Sequence, residues 1–135
     1  MGPNSRGWHG TFHDVPWTEI ASRFRQMSDR HPEFRHMTDI VDSVLACGAD
    51  QHLVGLTSMH DLVVTTRPIT EPPIDEVIVR APSSLVPVSD GTVLIENLST
   101  TGQNERIVRP TSEAVPLFWR FITNNFGINP ARPTI

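Results

Sequence analysis

Lysine is absent from this chain, and so is tyrosine; all 11 basic residues are arginine. Average usage would place roughly eight lysines in a chain of this length. Their absence excludes Schiff-base chemistry, pyridoxal-phosphate attachment, a phosphate-loop lysine and a kinase strand lysine. The lack of tyrosine excludes a phenolic acid or nucleophile. A G+C-rich genome accounts for lysine poverty only in part, because ten Ile and six Asn, with A/T-rich codons, remain. Selection against lysine-directed tagging is the sharper reading.

Cysteine is nearly absent as well. Cys47 stands alone, which rules out an intrachain disulfide and a multi-cysteine zinc site and fits a reducing compartment. The first residues, Met1-Gly2-Pro3-Asn4-Ser5-Arg6-Gly7, hold no apolar run of the signal-peptide kind, so a cytoplasmic location is expected. No apolar stretch approaches the roughly 20 residues of a membrane span, so no membrane partner is expected. There is no basic excess. The net charge of −4 argues against phosphate backbones, and no nucleic-acid partner is expected. No Gly-x-Ser-x-Gly elbow, GxGxxG run or phosphate loop occurs, and no cofactor is expected. Cys47 sits at an apolar helix end with no evident activating cation, which is the setting of a small buried hydrophobe.

What is present suffices for a core. Leu, Ile, Val and Phe supply 37 of 135 residues, well above the roughly 20 % that signals disorder. The chain reads as a flexible leader over 1–13, one α+β domain over 14–128 and a loose tail over 129–135. Asp14 suits an N-cap with Pro16 in the first helical turn. Trp17, Ile20, Phe24 and Met27 then form one apolar stripe, ended at His31-Pro32. A second helix over about 33–47 carries Met37, Ile40, Val41, Val44 and Leu45 on one face, with Gly48 as its left-handed stop.

From residue 51 the period shortens to that of strands. His52–Ser58 and Asp61–Arg67 read as a hairpin around Met59-His60. Further strands are expected at 76–80, 92–98 and 105–109, with a short edge strand at 85–88. A last helix within 112–126 buries Leu117, Phe118, Phe121, Ile122 and Phe126 and stops at Gly127. Pro116 restricts its firm part to begin near Val115. The expected fold is an antiparallel sheet of about five strands with two N-terminal helices and one C-terminal helix.

Three strands end on arginine beside proline: Arg67-Pro68, Arg80-Ala81-Pro82 and Arg109-Pro110. In a meander the third and fifth strands end at the same edge, where Arg80 and Arg109 could present planar forks to one carboxylate or phosphate, with Arg67 as a further candidate. The bland reading is three solvated strand ends paired with Glu76, Glu96 or Glu105. His9 and His13, with Asp14, would suit a divalent metal on a helix face, but Gly10 argues for a polar leader instead. His31 and His36 fall in a helix–helix turn. His60-Asp61 point to opposite strand faces, a poor acid–base pair. His52 is a candidate lone base or a surface or core histidine. Asn97-Leu98-Ser99 matches a glycosylation sequon by accident of sequence. Trp119 lies off the best apolar face of the last helix, either as a protein or dimer contact or packed inside.

Two functional readings result. The first is a small non-catalytic domain that binds a protein partner or itself, with Trp119 and the arginine strand ends as contacts. The second is an enzyme or sensor for a small anion held by Arg80 and Arg109, with a histidine as acid or base.

Overall fold

The computed structural model describes residues 14–71 and 73–130. Helix α1 spans Trp17–Arg30, α2 spans Arg35–Ala46 and α3 spans Ala114–Phe126. Strands β1 (Leu53–Ser58), β2 (Asp61–Thr66), β3 (Glu76–Arg80), β4 (Thr92–Leu98) and β5 (Arg106–Pro110) pair antiparallel in sequence order. The α+β architecture with a five-strand antiparallel sheet, expected from the sequence, is therefore the fold, and the strand order is that of a simple meander.

The three helices cover one face of the sheet. Strand alternation sends Leu53, Leu62, Val64, Val77, Val79, Val93 and Ile95 into the core shared with Trp17, Phe24, Met37, Val44, Phe118 and Phe121. Trp17 packs closely against β1 because position 55 is glycine. A Cβ there would stand 2.8 Å from the indole ring, and the ring is fixed by its Nε1–H donating to the Leu53 carbonyl at 2.9 Å. The opposite face carries a smaller cluster of Val54, Leu56, Val63, Ile74 and Ile78, flanked by Val15 and Leu98.

Local details differ from the sequence reading, each for a physical reason. Asp14 does not cap α1, whose N-cap is Pro16 without a side-chain bond. Its carboxylate instead takes both guanidinium arms of Arg67, at 2.6 and 3.0 Å. That bond holds the Asp14 carboxyl below its ordinary range, with a smaller charge contribution from the same arginine. The second helix is preceded by a separate 3-10 turn at Pro32–Phe34. Residues 85–88 form no strand. Pro116 falls in the first turn of α3, where a missing N–H costs nothing, and Gly127 closes the helix at φ 71°.

Candidate functional site

The arginines at the strand ends do not converge. Arg80 shares its sheet face with Ile78, opposite the helices, whereas Arg109 pairs with Val93 in register and so lies on the helix side. Arg80 is also occupied. Its Nη1 donates to Asp61 Oδ2 at 2.9 Å and its Nε to Glu96 Oε2 at 2.7 Å, with Arg106 reaching Glu96 Oε1 at 3.2 Å. The Asp61 and Glu96 side chains are each 8 % exposed. Burial alone pulls the Arg80 guanidinium down, and hydrogen bonds to Asp61 and Glu96 more than offset it, so its pKa lies above the ordinary value. Arg67 is paired with Asp14, and because β2 runs antiparallel to β3 it lies at the opposite end of the sheet from Arg80.

Trp119 is 6 % exposed. It meets Phe118 edge-on and donates from Nε1 to Ser43 Oγ of α2 at 3.0 Å. It is a contact between α3 and α2, not a surface anchor. The reason is that α3 packs against both the sheet and α2, so two of its faces are buried. His9 and His13 lie outside the described residues; within those, no cluster of three or more His, Cys, Asp or Glu could hold a metal. Asn97 is buried and bonded to Asn125 and to the Glu105 amide, which closes the sequon.

Asp61, passed over as half of a poor acid–base pair, organises the end of the molecule. Besides Arg80, its carboxylate accepts the Ala81 amide at 2.7 Å and the Ser84 hydroxyl at 2.9 Å. Ser84 Oγ in turn accepts the Val86 amide at 3.2 Å. The loop after β3 is thus tied to the start of β2, with Leu85 between its two fixed neighbours. Leu85 is 79 % exposed.

The hairpin turn beside it is strained. Ser58 pairs with Asp61, so Met59 and His60 alone make the connection, at φ 50° and 74°. A two-residue turn with both φ values positive normally takes Asn and Gly; side chains with a Cβ pay roughly 1–2 kcal/mol each there. His60 is held by Ser83 Oγ, 3.1 Å from its Nδ1, and by the edge of Phe34, 5.9 Å between ring centres. Met59 is left 65 % exposed. Met59 and Leu85 are the two most exposed large apolar side chains among the described residues.

Between this tip and the α1–α2 corner runs an open groove of about 940 Å³. Phe24, Met27 and Phe34 give it an apolar floor, and Arg30, His31, Glu33 and His60 a polar rim. A second groove of about 630 Å³ continues past Phe34 and Ser83 along the loop at 88–92. Near it His36 is buried, and its Nε2 has no hydrogen-bond partner among the described residues. Burial pushes the His36 pKa below its ordinary value, against the opposing Asp39 charge and Glu33 backbone. The fold therefore favours the neutral imidazole. As pH falls through about 6.5, the unfolded chain takes up this proton first, so stability is full above that pH and declines below it. We expect His36→Phe to flatten the decline between about pH 6.5 and 5, read from urea midpoints. An unchanged acid slope would contradict this assignment.

Among the described residues, no helix is long and apolar enough to cross a membrane. Comparison with known proteins returns no matching family model, no matching curated protein and no matching solved structure.

Proposed function

We propose that this chain is a non-catalytic binding domain that receives a protein partner at the hairpin end of the sheet. One observation carries the reading. Met59 and Leu85, exposed and apolar, sit on two loops locked together by the buried Asp61 carboxylate and the His60–Ser83 contact. Exposed apolar side chains normally cost a protein solubility, and fixing them in place reduces the ordering cost of binding. The adjoining groove, with Phe34 on its floor, offers a pocket for an anchor from the partner. The net charge of −4 supports a partner other than nucleic acid, and the single cysteine supports a cytoplasmic setting.

The test is site-specific photo-crosslinking in native extract. A photoreactive side chain at 59 and one at 85 are expected to give the same discrete adduct, and one at the exposed Asn124 on α3 none. Different adducts from 59 and 85, or none, would remove the reading.

A second reading keeps one observation of its own. Arg30, His31 and His60 line the groove, and no ion pair engages Arg30 among the described residues. A small anion bound there by an enzyme or sensor would use these side chains rather than Arg80 and Arg109. Titration with inorganic phosphate, followed by His31 and His60 ring resonances, separates the readings; protein binding alone predicts no saturable shift.

A further inference from the structure

The outer edge of β5 is open: all five of its residues are exposed or half-exposed. Its hydrogen-bonding pattern is fixed by its inner neighbour. Asn97 N donates to the Glu105 carbonyl and Thr111 N to the Gly91 carbonyl. Backbone groups alternate along a strand, so Glu105, Ile107, Arg109 and Thr111 address β4, while Arg106, Val108 and Pro110 address solvent. Pro110 has no N–H. The Val108 carbonyl, facing out, is met by the Nη1 of Arg109 at 2.9 Å. The usable edge is therefore short: the amides of Arg106 and Val108, the Arg106 carbonyl, and the Val108 carbonyl once Arg109 turns from it to Glu105 of the second copy.

This segment is complementary to itself. If a second copy pairs antiparallel with Ile107 on the twofold axis, Arg106 of each copy faces Val108 of the other, and their outward amides and carbonyls bond reciprocally. On the helix side, Glu105 of each copy then faces Arg109 of the other. Glu105 has no ion pair among the described residues, and Arg109 holds Glu113 only at 4.0 Å. Opposite charges directly across a strand pair are favourable, and here they flank an Ile107–Ile107 contact. The half-exposed Val108 completes the apolar part on the other face. Helix α3 packs over β3 and β4 more than over β5, which leaves the approach clear. The opposite sheet edge is interrupted at its middle, where Val15 bridges to Gly55 of β1. Pairing through β5 consequently stops at two copies, and the proline prevents the ladder from lengthening.

We propose that β5 is the contact between two copies of this chain, paired antiparallel about Ile107 through Glu105–Arg109 ion pairs. This surface stands apart from the hairpin end and does not rest on the reading given for it. A strand pair of this length makes a small interface, so the dimer is reversible. Sedimentation velocity of the full chain across roughly 1–100 μM at low ionic strength tests it. The wild-type chain is expected to move from monomer to dimer as concentration rises. Val108→Pro removes an outward amide and no intrachain bond, and is expected to abolish the dimer while the thermal midpoint stays within a few degrees. Glu105→Arg and Arg109→Glu are each expected to weaken it at least tenfold, and the two together to restore it, because the swapped charges face each other again. Should Val108→Pro disturb folding, the charge swap decides alone. A wild-type chain that stays monomeric throughout overturns the proposal, as does a dimer indifferent to these changes or a double variant that fails to recover it.

Discussion

Replacing Arg80 by methionine is expected to lower folding stability by about 3–5 kcal/mol. The guanidinium sits between the Asp61 and Glu96 carboxylates, both nearly sealed from solvent. Removing it leaves two buried anions on β2 and β4, the strands that flank β3, with only the more exposed Arg106 to neutralise one of them. Breaking one partner of a buried ion network costs far more than the intact network contributes, because the remaining charges stay desolvated. Asp61 would lose an ionic partner and keep the Ala81 amide and Ser84 hydroxyl. The loop carrying Leu85 would therefore loosen along with the global loss. A urea titration measures the effect as a shift in midpoint at constant slope. A solvated ligand arginine would behave differently, with a change within about 0.5 kcal/mol. That small value would return Arg80 to the role of a free strand-end cation.

The second large effect concerns Trp119. Trp119→Ala is expected to cost about 3–5 kcal/mol, the range for deleting a large buried aromatic side chain. The indole fills the seam between α3 and α2, against Phe118, and its Nε1–H satisfies Ser43. Trp119→Phe keeps most of the apolar contact and gives up the hydrogen bond, so about 1 kcal/mol of loss is expected. Thermal or urea unfolding of both variants measures the pair. An alanine variant as stable as wild type would mean that Trp119 is a surface anchor after all.

The elements were legible because each carried its own period. Trp17, Ile20 and Phe24 mark one helix stripe, and Met37, Ile40, Val41 and Val44 another, and all are buried. The strands at 76–80 and 92–98 match the alternation of Val77, Val79, Val93 and Ile95 into the helix-side core. What escaped was set by pairings between distant residues. Arg80 and Arg109 do end strands at one edge, but the register of β4 against both neighbours puts them on opposite faces, and register is not visible in one strand. Trp119 reads as off-face for a helix with one partner; that α3 has two partners is a property of the assembled layers.

The hairpin end was the least legible part. Met59-His60 lacks the Asn-Gly or Asp-Gly signature of a two-residue turn, although both residues take a positive φ. The Asp61 network joins residues 19 to 23 positions apart, a spacing that no local pattern announces. The glycine at 55 is similar. Nothing around it in the sequence marks it, and its role is known only once Trp17 packs against it.

The most direct measurement of the account compares stability and binding in one variant, Met59→Ala combined with Leu85→Ala. Both side chains are exposed and contribute little to the core, so the urea midpoint is expected to stay within about 0.5 kcal/mol of wild type. Affinity for the partner captured by crosslinking at 59 is expected to fall at least tenfold, about 1.4 kcal/mol. Unchanged affinity with unchanged stability would contradict the claim that this locked, exposed end of the sheet is where the domain binds.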